Sequence, residues 1–180
     1  MKGISQKQAE EIFRDYSPKV YQLALFLSKS PALADDITQD TFLQVFKKYT
    51  SYDPQRPIYP WIYKIALNIT RNTLRRQKWL DLFGEPPECG YLTSVENIIL
   101  RDELAAELWQ KVNKLTLKSR EVIVLHYYLE LKLQETATIL GIPLGTCKSR
   151  LNSALSTLRK QLEENSHLQL KKGDDLYGIV

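Results

Sequence analysis

Short polar and basic side chains between positions 146 and 162 have a spacing suited to contact with DNA. Apolar residues recur there every three or four positions, which predicts a helix with one buried face. Short polar side chains on the opposite face can hydrogen-bond base edges in the major groove, and flanking cations can contact phosphates. An ordinary helical hairpin with a solvated face gives the same pattern. The side chains predicted to face outward are Lys148, Ser149, Asn152, Ser153 and Ser156, with Arg150 beside them.

A second polar and basic stripe follows a tyrosine-rich stretch in the first half of the chain. Its four residues are spaced by four, three and four positions, which places them on one side of a helix. Aromatic rings stack on unpaired bases while cations follow phosphates, so this combination favours single-stranded nucleic acid. The alternative is that Trp61 and Tyr63 are core residues and that the arginines only solubilise the helix. The stripe consists of Lys64, Asn68, Arg71 and Arg75, and the stretch before it contains Tyr49, Ser51, Tyr52, Arg56 and Tyr59.

A third candidate surface is acidic. Its carboxylates lie in the first two turns of a predicted helix, where the helix dipole alone favours them. Three carboxylates within six residues also suggest a metal or an acid/base pair, but no second cluster of ligands converges with them. We therefore interpret this surface as a protein-docking face. It comprises Asp35, Asp36, Gln39, Asp40 and Leu43.

Helices must position all three surfaces, because no strand alternation appears in the sequence. Pro18 interrupts the first apolar pattern, which predicts one helix ending near position 15 and a second over positions 17–30. Gly141 and Pro143 separate the last two helices in the manner of a helix-turn-helix, and Thr116 is the predicted N-cap of an earlier helix. Further helices are predicted over positions 32–49, 61–79, 100–112, 118–129, 133–140 and 146–162, with a loop at 50–60.

These elements predict an all-α protein with two small helical bundle domains. The predicted domains span residues 1–80 and 98–164. Glycine, proline and acidic residues cluster between them, which predicts a flexible acidic linker over residues 81–97. The tail, residues 165–180, is expected to be disordered.

Composition narrows the function classes. The 180 residues contain 25 basic and 21 acidic side chains, and a basic block at residues 50–80 precedes an acidic block at 81–110. The two cysteines, Cys89 and Cys147, lie 58 residues apart, so together with only His126 and His167 they lack the closely spaced ligand pairs of a zinc site, and no glycine-rich nucleotide motif occurs. We therefore expect no metal, no cofactor and no enzyme activity. No apolar run is long enough to span a bilayer, so membrane insertion is not expected and the cytoplasm is the expected location.

Several sequence motifs resemble the extracytoplasmic-function (ECF) group of bacterial RNA polymerase sigma factors, group 4 of the sigma-70 family. The resemblance runs from about Glu10 to Leu162, and its motifs occur in two sets in the family's order. Two independent sets are far more specific than one helix-turn-helix. The motifs are Ala34–Phe42, Tyr52–Pro54 and Pro60–Asn68 in the first domain, and Arg120–Ile123 and Leu140–Arg150 in the second.

The resemblance implies a non-catalytic initiation subunit that docks on core RNA polymerase. The first domain would contact the clamp of the largest subunit and open the promoter's −10 element, and the second would contact the flap of the second-largest subunit and read the −35 element. It also implies an anti-sigma partner. The implied residues are Asp35, Asp36, Gln39, Asp40 and Leu43 for docking; Tyr49, Ser51, Tyr52, Trp61, Lys64, Asn68, Arg71 and Arg75 for the −10 element; and Thr146, Lys148, Ser149, Arg150, Asn152 and Ser153 for the −35 element.

Two other possible functions explain part of the sequence. A stand-alone helix-turn-helix regulator would use residues 115–162 on duplex DNA, but it leaves the tyrosine loop and the acidic helix without a role. A helical adaptor that binds partner helices leaves unexplained the basic block at residues 50–80 and a second one at residues 111–164. The sigma factor reading accounts for all of these features.

Overall fold

The computed structural model describes residues 4–83 and 103–174, with side chains described for 4–80 and 108–163. The described part is helical and contains no β-strand, which confirms the predicted all-α fold. The first half is a three-helix bundle. Its helices are α1 (Gln6–Ser28), α2 (Pro31–Lys47) and α3 (Ile58–Phe83), with a 3₁₀ turn at Tyr49–Ser51 after α2.

Local capping determines where the first helices begin. The side chain of Ser5 accepts a hydrogen bond from the backbone N–H of Gln8 and forms a capping box with it. The side chain of Ser30 accepts a hydrogen bond from the Leu33 N–H and so caps α2, and Pro31 occupies the first turn, where its missing N–H costs nothing. The bundle then closes around fully buried side chains from all three helices: Leu23, Leu25, Leu27, Ile37, Ile62 and Leu67.

Besides Pro31, two prolines lie inside helices, contrary to the sequence-based predictions. α1 runs without a break through Pro18, although a break was expected there. A proline inside a helix costs about 3 kcal/mol, but each large apolar side chain that α1 buries beyond it returns about 1.5–3 kcal/mol. α3 begins at Ile58 and includes Pro60, which was assigned to the loop. Because Pro60 lies in the first turn, its missing N–H would have had no partner within the helix.

The second half ends in a helix-turn-helix. The elements of this half are α4 (Glu103–Lys114), α5 (Leu117–Ile123), a π-helical turn (Val124–Tyr128), α6 (Leu133–Leu140) and α7 (Leu144–Asp174), and the last two helices form the helix-turn-helix. The side chain of Thr116 accepts a hydrogen bond from the Ser119 N–H at 3.3 Å, which confirms its predicted role as N-cap. Gly141 ends α6 with φ at 69°, the left-handed conformation that favours glycine.

Other boundaries in this half differ from the prediction. The helix expected over 118–129 ends at Ile123, and the wider π-helical turn follows it, with the Leu129 N–H donating to the Val124 carbonyl. α7 begins at Leu144, directly after Pro143, and continues to Asp174. It therefore extends into the tail, where disorder was expected. Most of the predicted linker, from residue 84 onward, and the last six residues lie outside the described part.

The two halves contact each other. Phe26 of α1 packs against Trp109 of α4, with ring centroids 4.3 Å apart, and against Tyr128, at 4.4 Å. α6 lies along α3, and the buried apolar residues of both halves form one connected cluster. The described chain is therefore a closed arrangement of the two bundles.

Candidate nucleic-acid interface

The basic stripe of α3 is present, but only part of it is open to solvent. Lys64, Asn68 and Arg75 are exposed. Arg71 is half-buried and forms a bidentate ion pair with Glu121 of α5, with Nε–Oε1 at 2.6 Å and Nη2–Oε2 at 2.7 Å. Hydrogen bonding to this carboxylate raises the pKa of Arg71. Three residues of the stripe can therefore reach a nucleic acid in this arrangement, and the fourth is engaged within the protein.

The aromatic residues beside the stripe form a short ladder of rings. The ring centroids of Tyr49 and Tyr52 are 5.8 Å apart, and those of Tyr52 and Trp61 are 5.3 Å apart. The hydroxyl of Tyr52 donates to the carbonyl of Arg56, and the hydroxyl of Ser51 donates to the carbonyl of Lys48, which together order the loop. A ladder held in place in this way can offer ring faces to unpaired bases.

Trp61 and Tyr63 were both candidates for the core, and the structure separates them. Tyr63 is buried, with 2% of its surface exposed, and burial raises its pKa to about 12. Trp61 is only half-buried and packs on the edge of the core. Tyr63 is therefore structural, whereas Trp61 keeps a surface available for a ligand.

The acidic face of α2 is open. Its docking candidates are all exposed, including Leu43, an apolar side chain with 59% of its surface accessible. The opposite side of α2, represented by Ile37, Thr41 and Phe42, is buried. Among the described residues, no group of His, Cys, Asp and Glu is arranged to hold a metal ion. The exposed members of this face are Asp35, Asp36, Gln39, Asp40 and Leu43.

The outward face of α7 matches the predicted helical register. Cys147, Leu151 and Ala154 are buried against the rest of the helix-turn-helix. The opposite face is exposed at Lys148, Ser149, Asn152 and Ser153, while Thr146 and Arg150 are half-buried. The hydroxyl of Ser149 donates to the Thr146 carbonyl at 3.0 Å. Apart from Lys148 and Arg150, the outer side chains are short, so the helix can approach the floor of a major groove closely.

Sequence reasoning did not find the residues that join the two halves. Arg120 is buried, and its guanidinium donates to the carbonyls of Leu27, Asn113 and Leu115 at 3.0–3.3 Å. Burial lowers the pKa of Arg120. Glu121 has 2% of its side chain exposed. The sequence signal for both was their place in one motif, which did not indicate what they contact.

A cleft of about 850 Å³ lies between the halves. Cations line it from both sides, and Glu121 is the one carboxylate among the described residues around it. Its cationic residues are Lys29, Arg71, Arg75, Lys78, Lys118, Arg120 and Arg150. The pKa of Lys29 is lowered mainly by burial and also by the neighbouring Arg120.

Among the described helices, none has an apolar stretch that could span a membrane.

Comparison with known proteins identifies both halves. The model of sigma-70 region 2 matches residues 12–80, and that of sigma-70 region 4 matches residues 105–158. The chain is 34% identical to the ECF RNA polymerase sigma factor SigW of Bacillus subtilis, over 88% of this chain and 93% of SigW. It is 27% identical to the RNA polymerase sigma factor CarQ of Myxococcus xanthus, over 89% of this chain and 92% of CarQ.

Solved structures show the same fold. The structure of CnrH in complex with the cytosolic domain of CnrY has a TM-score of 0.67 and 25% identity, covering 89% of this chain and 90% of that one. The sigma factor RpoE in complex with the anti-sigma factor NepR from Bartonella quintana has a TM-score of 0.69 at 21% identity, covering 86% and 96%. With two sigma-70 regions in sequence order and a relative at 34% identity over nearly its whole length, the chain belongs to the ECF sigma factors, which direct RNA polymerase to promoters.

Proposed function

We propose that this sigma factor divides its work among the three surfaces described above. The exposed face of α2 docks on the clamp of the largest polymerase subunit. The tyrosine ladder and the α3 stripe open and hold the −10 element, and α7 reads the −35 element. The observation that carries this proposal is that the α2 face, most of the outer face of α7 and three residues of the α3 stripe are exposed, on the two regions that match sigma-70.

Docking through α2 is supported by its charge and by Leu43. Exposed carboxylates on one helix face speed encounter with a basic surface and orient the partners. An apolar side chain that is 59% exposed, Leu43, can then be buried at the centre of the contact.

The second domain has its own proposed contact on the polymerase, which is the flap of the second-largest subunit.

Opening of the −10 element follows from the chemistry of the ladder. Trp61 and Tyr52 can stack on bases only after these leave the duplex, so their contacts favour the melted state over the paired state. Lys64 and Arg75 then follow the phosphates of the captured strand, and the amide of Asn68 can hydrogen-bond a base edge. The chain thereby shifts an equilibrium and leaves bond chemistry to the polymerase, and we propose that it has no catalytic activity.

Recognition of the −35 element is expected to be weak in isolation. The outer face of α7 offers Lys148, Ser149 and Asn152 to base edges, with Arg150 near phosphate, and contains few long donors. Tethering two weak sites to one promoter raises their combined affinity by an effective concentration. Polymerase thus makes the two contacts cooperative.

An anti-sigma factor is a further proposed partner. The neighbours in the solved structures are held by other proteins: CnrH by the cytosolic domain of CnrY, and RpoE by the anti-sigma factor NepR. This chain shares their fold and has an exposed acidic face on which such a partner could compete with polymerase. Both of its proposed large ligands, polymerase and promoter DNA, place it in the cytoplasm.

The experiment that tests the proposed function is purification of core polymerase with this chain, followed by mapping of transcription starts. We expect a stoichiometric complex and starts downstream of one recurrent pair of −10 and −35 motifs. A stand-alone regulator must bind duplex DNA unaided, typically at about 10⁻⁸ M or tighter. A sequence-specific footprint at nanomolar concentration without polymerase, together with no complex formation, would refute the proposed function.

A further inference from the structure

The ion pair between Arg71 and Glu121 joins the proposed −10 surface to the domain that reads the −35 element. Both nitrogens of the Arg71 fork that face α5 are used, at 2.6 and 2.7 Å. The Glu121 side chain is 2% exposed, so the pair is shielded from water on the carboxylate side. In this arrangement Arg71 cannot also hold a phosphate with the same donors.

Three other polar contacts join the same two halves. The hydroxyl of Tyr59 donates to the carboxylate of Glu135 on α6, and this hydrogen bond lowers the pKa of Glu135. Lys29 donates to the Asn113 carbonyl at 2.7 Å, and Arg120 donates to the Leu27 carbonyl at 3.3 Å. The contacts of Arg71 and Tyr59 thus cover α3 beside the tyrosine ladder.

Charge opposes the closed arrangement. The cleft between the halves gathers cations from both sides, and like charges at this range repel one another. Glu121 offsets part of that repulsion because it lies at the junction and pairs with Arg71. A buried carboxylate that loses its partner is strongly unfavourable, so loss of the pair shifts the balance toward separated halves.

We propose that the free chain is self-inhibited in this closed form, with Glu121 competing against promoter phosphate for Arg71. The proposal rests on the assignment of the α3 stripe to the −10 element. The closed form and the promoter-bound form are mutually exclusive at Arg71. Polymerase and DNA must therefore separate the halves before the whole stripe can act.

The test compares Glu121→Gln with Glu130→Gln, which removes the same charge from an exposed site in the same half. X-ray scattering of the free chain measures the radius of gyration. Binding to a labelled fork with a single-stranded −10 segment measures access to the stripe. We expect Glu121→Gln to be several ångströms larger than wild type and to bind the fork about tenfold more tightly, because apparent affinity scales with the open fraction. Glu130→Gln should match wild type in both.

Two further variants protect the test against a folding defect. Tyr59→Phe removes one contact between the halves and buries no new charge, so it should move both measurements in the same direction by a smaller amount. Arg71→Gln should increase the radius of gyration without the gain in fork binding, because it also loses the phosphate contact. Circular dichroism spectra that match wild type establish that each variant is folded.

Two results would overturn the inference. The first is an equal radius of gyration for wild type, Glu121→Gln and Tyr59→Phe. The second is expansion of Glu121→Gln without tighter fork binding. Failure of the proposed −10 role is separate, since it would appear as normal promoter opening by polymerase carrying Trp61→Ala, whatever the radius of gyration.

Discussion

Replacement of Trp61 by alanine tests the proposed mechanism of promoter opening. Trp61 is half-buried at the first turns of α3, and its ring lies 5.3 Å from that of Tyr52 at an interplanar angle of 33°. Truncation removes the last ring of the ladder and leaves the helix itself in place. Lys64 and Arg75, the residues proposed to follow phosphates, are unchanged.

The expected size of the effect follows from these contacts. A lost stack on an unpaired base costs about 1–3 kcal/mol, which is about a 5- to 150-fold loss in formation of the open complex. Loss of the ring pair with Tyr52 removes about 0.5–1.5 kcal/mol of interaction energy that orders the loop. This loss adds to the defect in open-complex formation. Closed-complex formation depends on duplex and polymerase contacts that Trp61 does not make, so it should fall less than about threefold.

The assay is permanganate footprinting of −10 thymines with polymerase carrying each variant, beside a gel-shift measurement of closed complexes. Trp61→Phe keeps a ring and should retain most of the opening. Trp79→Ala is the matched control, because it removes a tryptophan from the same helix about 27 Å farther along. If Trp61→Ala weakens closed and open complexes equally, the stacking argument fails.

Three further predictions concern the other surfaces and the core. Asp36→Arg should weaken binding to core polymerase at least tenfold in a titration. Asp15→Arg, which replaces an exposed carboxylate on α1, should not weaken it. Undiminished binding of Asp36→Arg would exclude α2 as the docking face. Asn152→Ala should change base preference at one −35 position in a polymerase-dependent selection, whereas Arg150→Ala should weaken all sequences alike and lower the salt slope by about one. The folded pKa of Tyr63, about 12, lies above its ordinary value of 10.0, so its contribution to stability is complete below pH 10 and is lost as pH rises toward 12. Urea unfolding should show a loss of up to about 3 kcal/mol over that range, and Tyr63→Phe should remove this part of it.

Helices and their local signals could be predicted because they depend on neighbouring residues. Thr116 caps a helix with its own side chain, and Gly141 ends one because it tolerates a left-handed backbone. The three- and four-residue spacing of apolar residues also placed the exposed faces of α2 and α7 in the right register. Each of these features is decided within a few residues of chain.

Features decided by distant contacts could not be predicted. The cost of Pro18 is local, but the burial that offsets it involves α2 and α3. How deeply Trp61 packs depends on neighbouring elements, and its spacing, in line with Lys64 and Asn68, indicates only that it lies on a different face of the helix from Tyr63. The roles assigned to individual site residues remain predictions, since exposure shows only that a ligand can reach them.

Arg71 illustrates how one residue can satisfy both a local pattern and a distant contact. The helical period places it in line with Lys64, Asn68 and Arg75, and nothing in that pattern indicates that Glu121, 50 positions later, covers it. The planar guanidinium fork fits a carboxylate and a phosphate with the same two parallel hydrogen bonds. In the proposed exchange, a promoter phosphate therefore replaces Glu121 without leaving the cation of Arg71 unsatisfied.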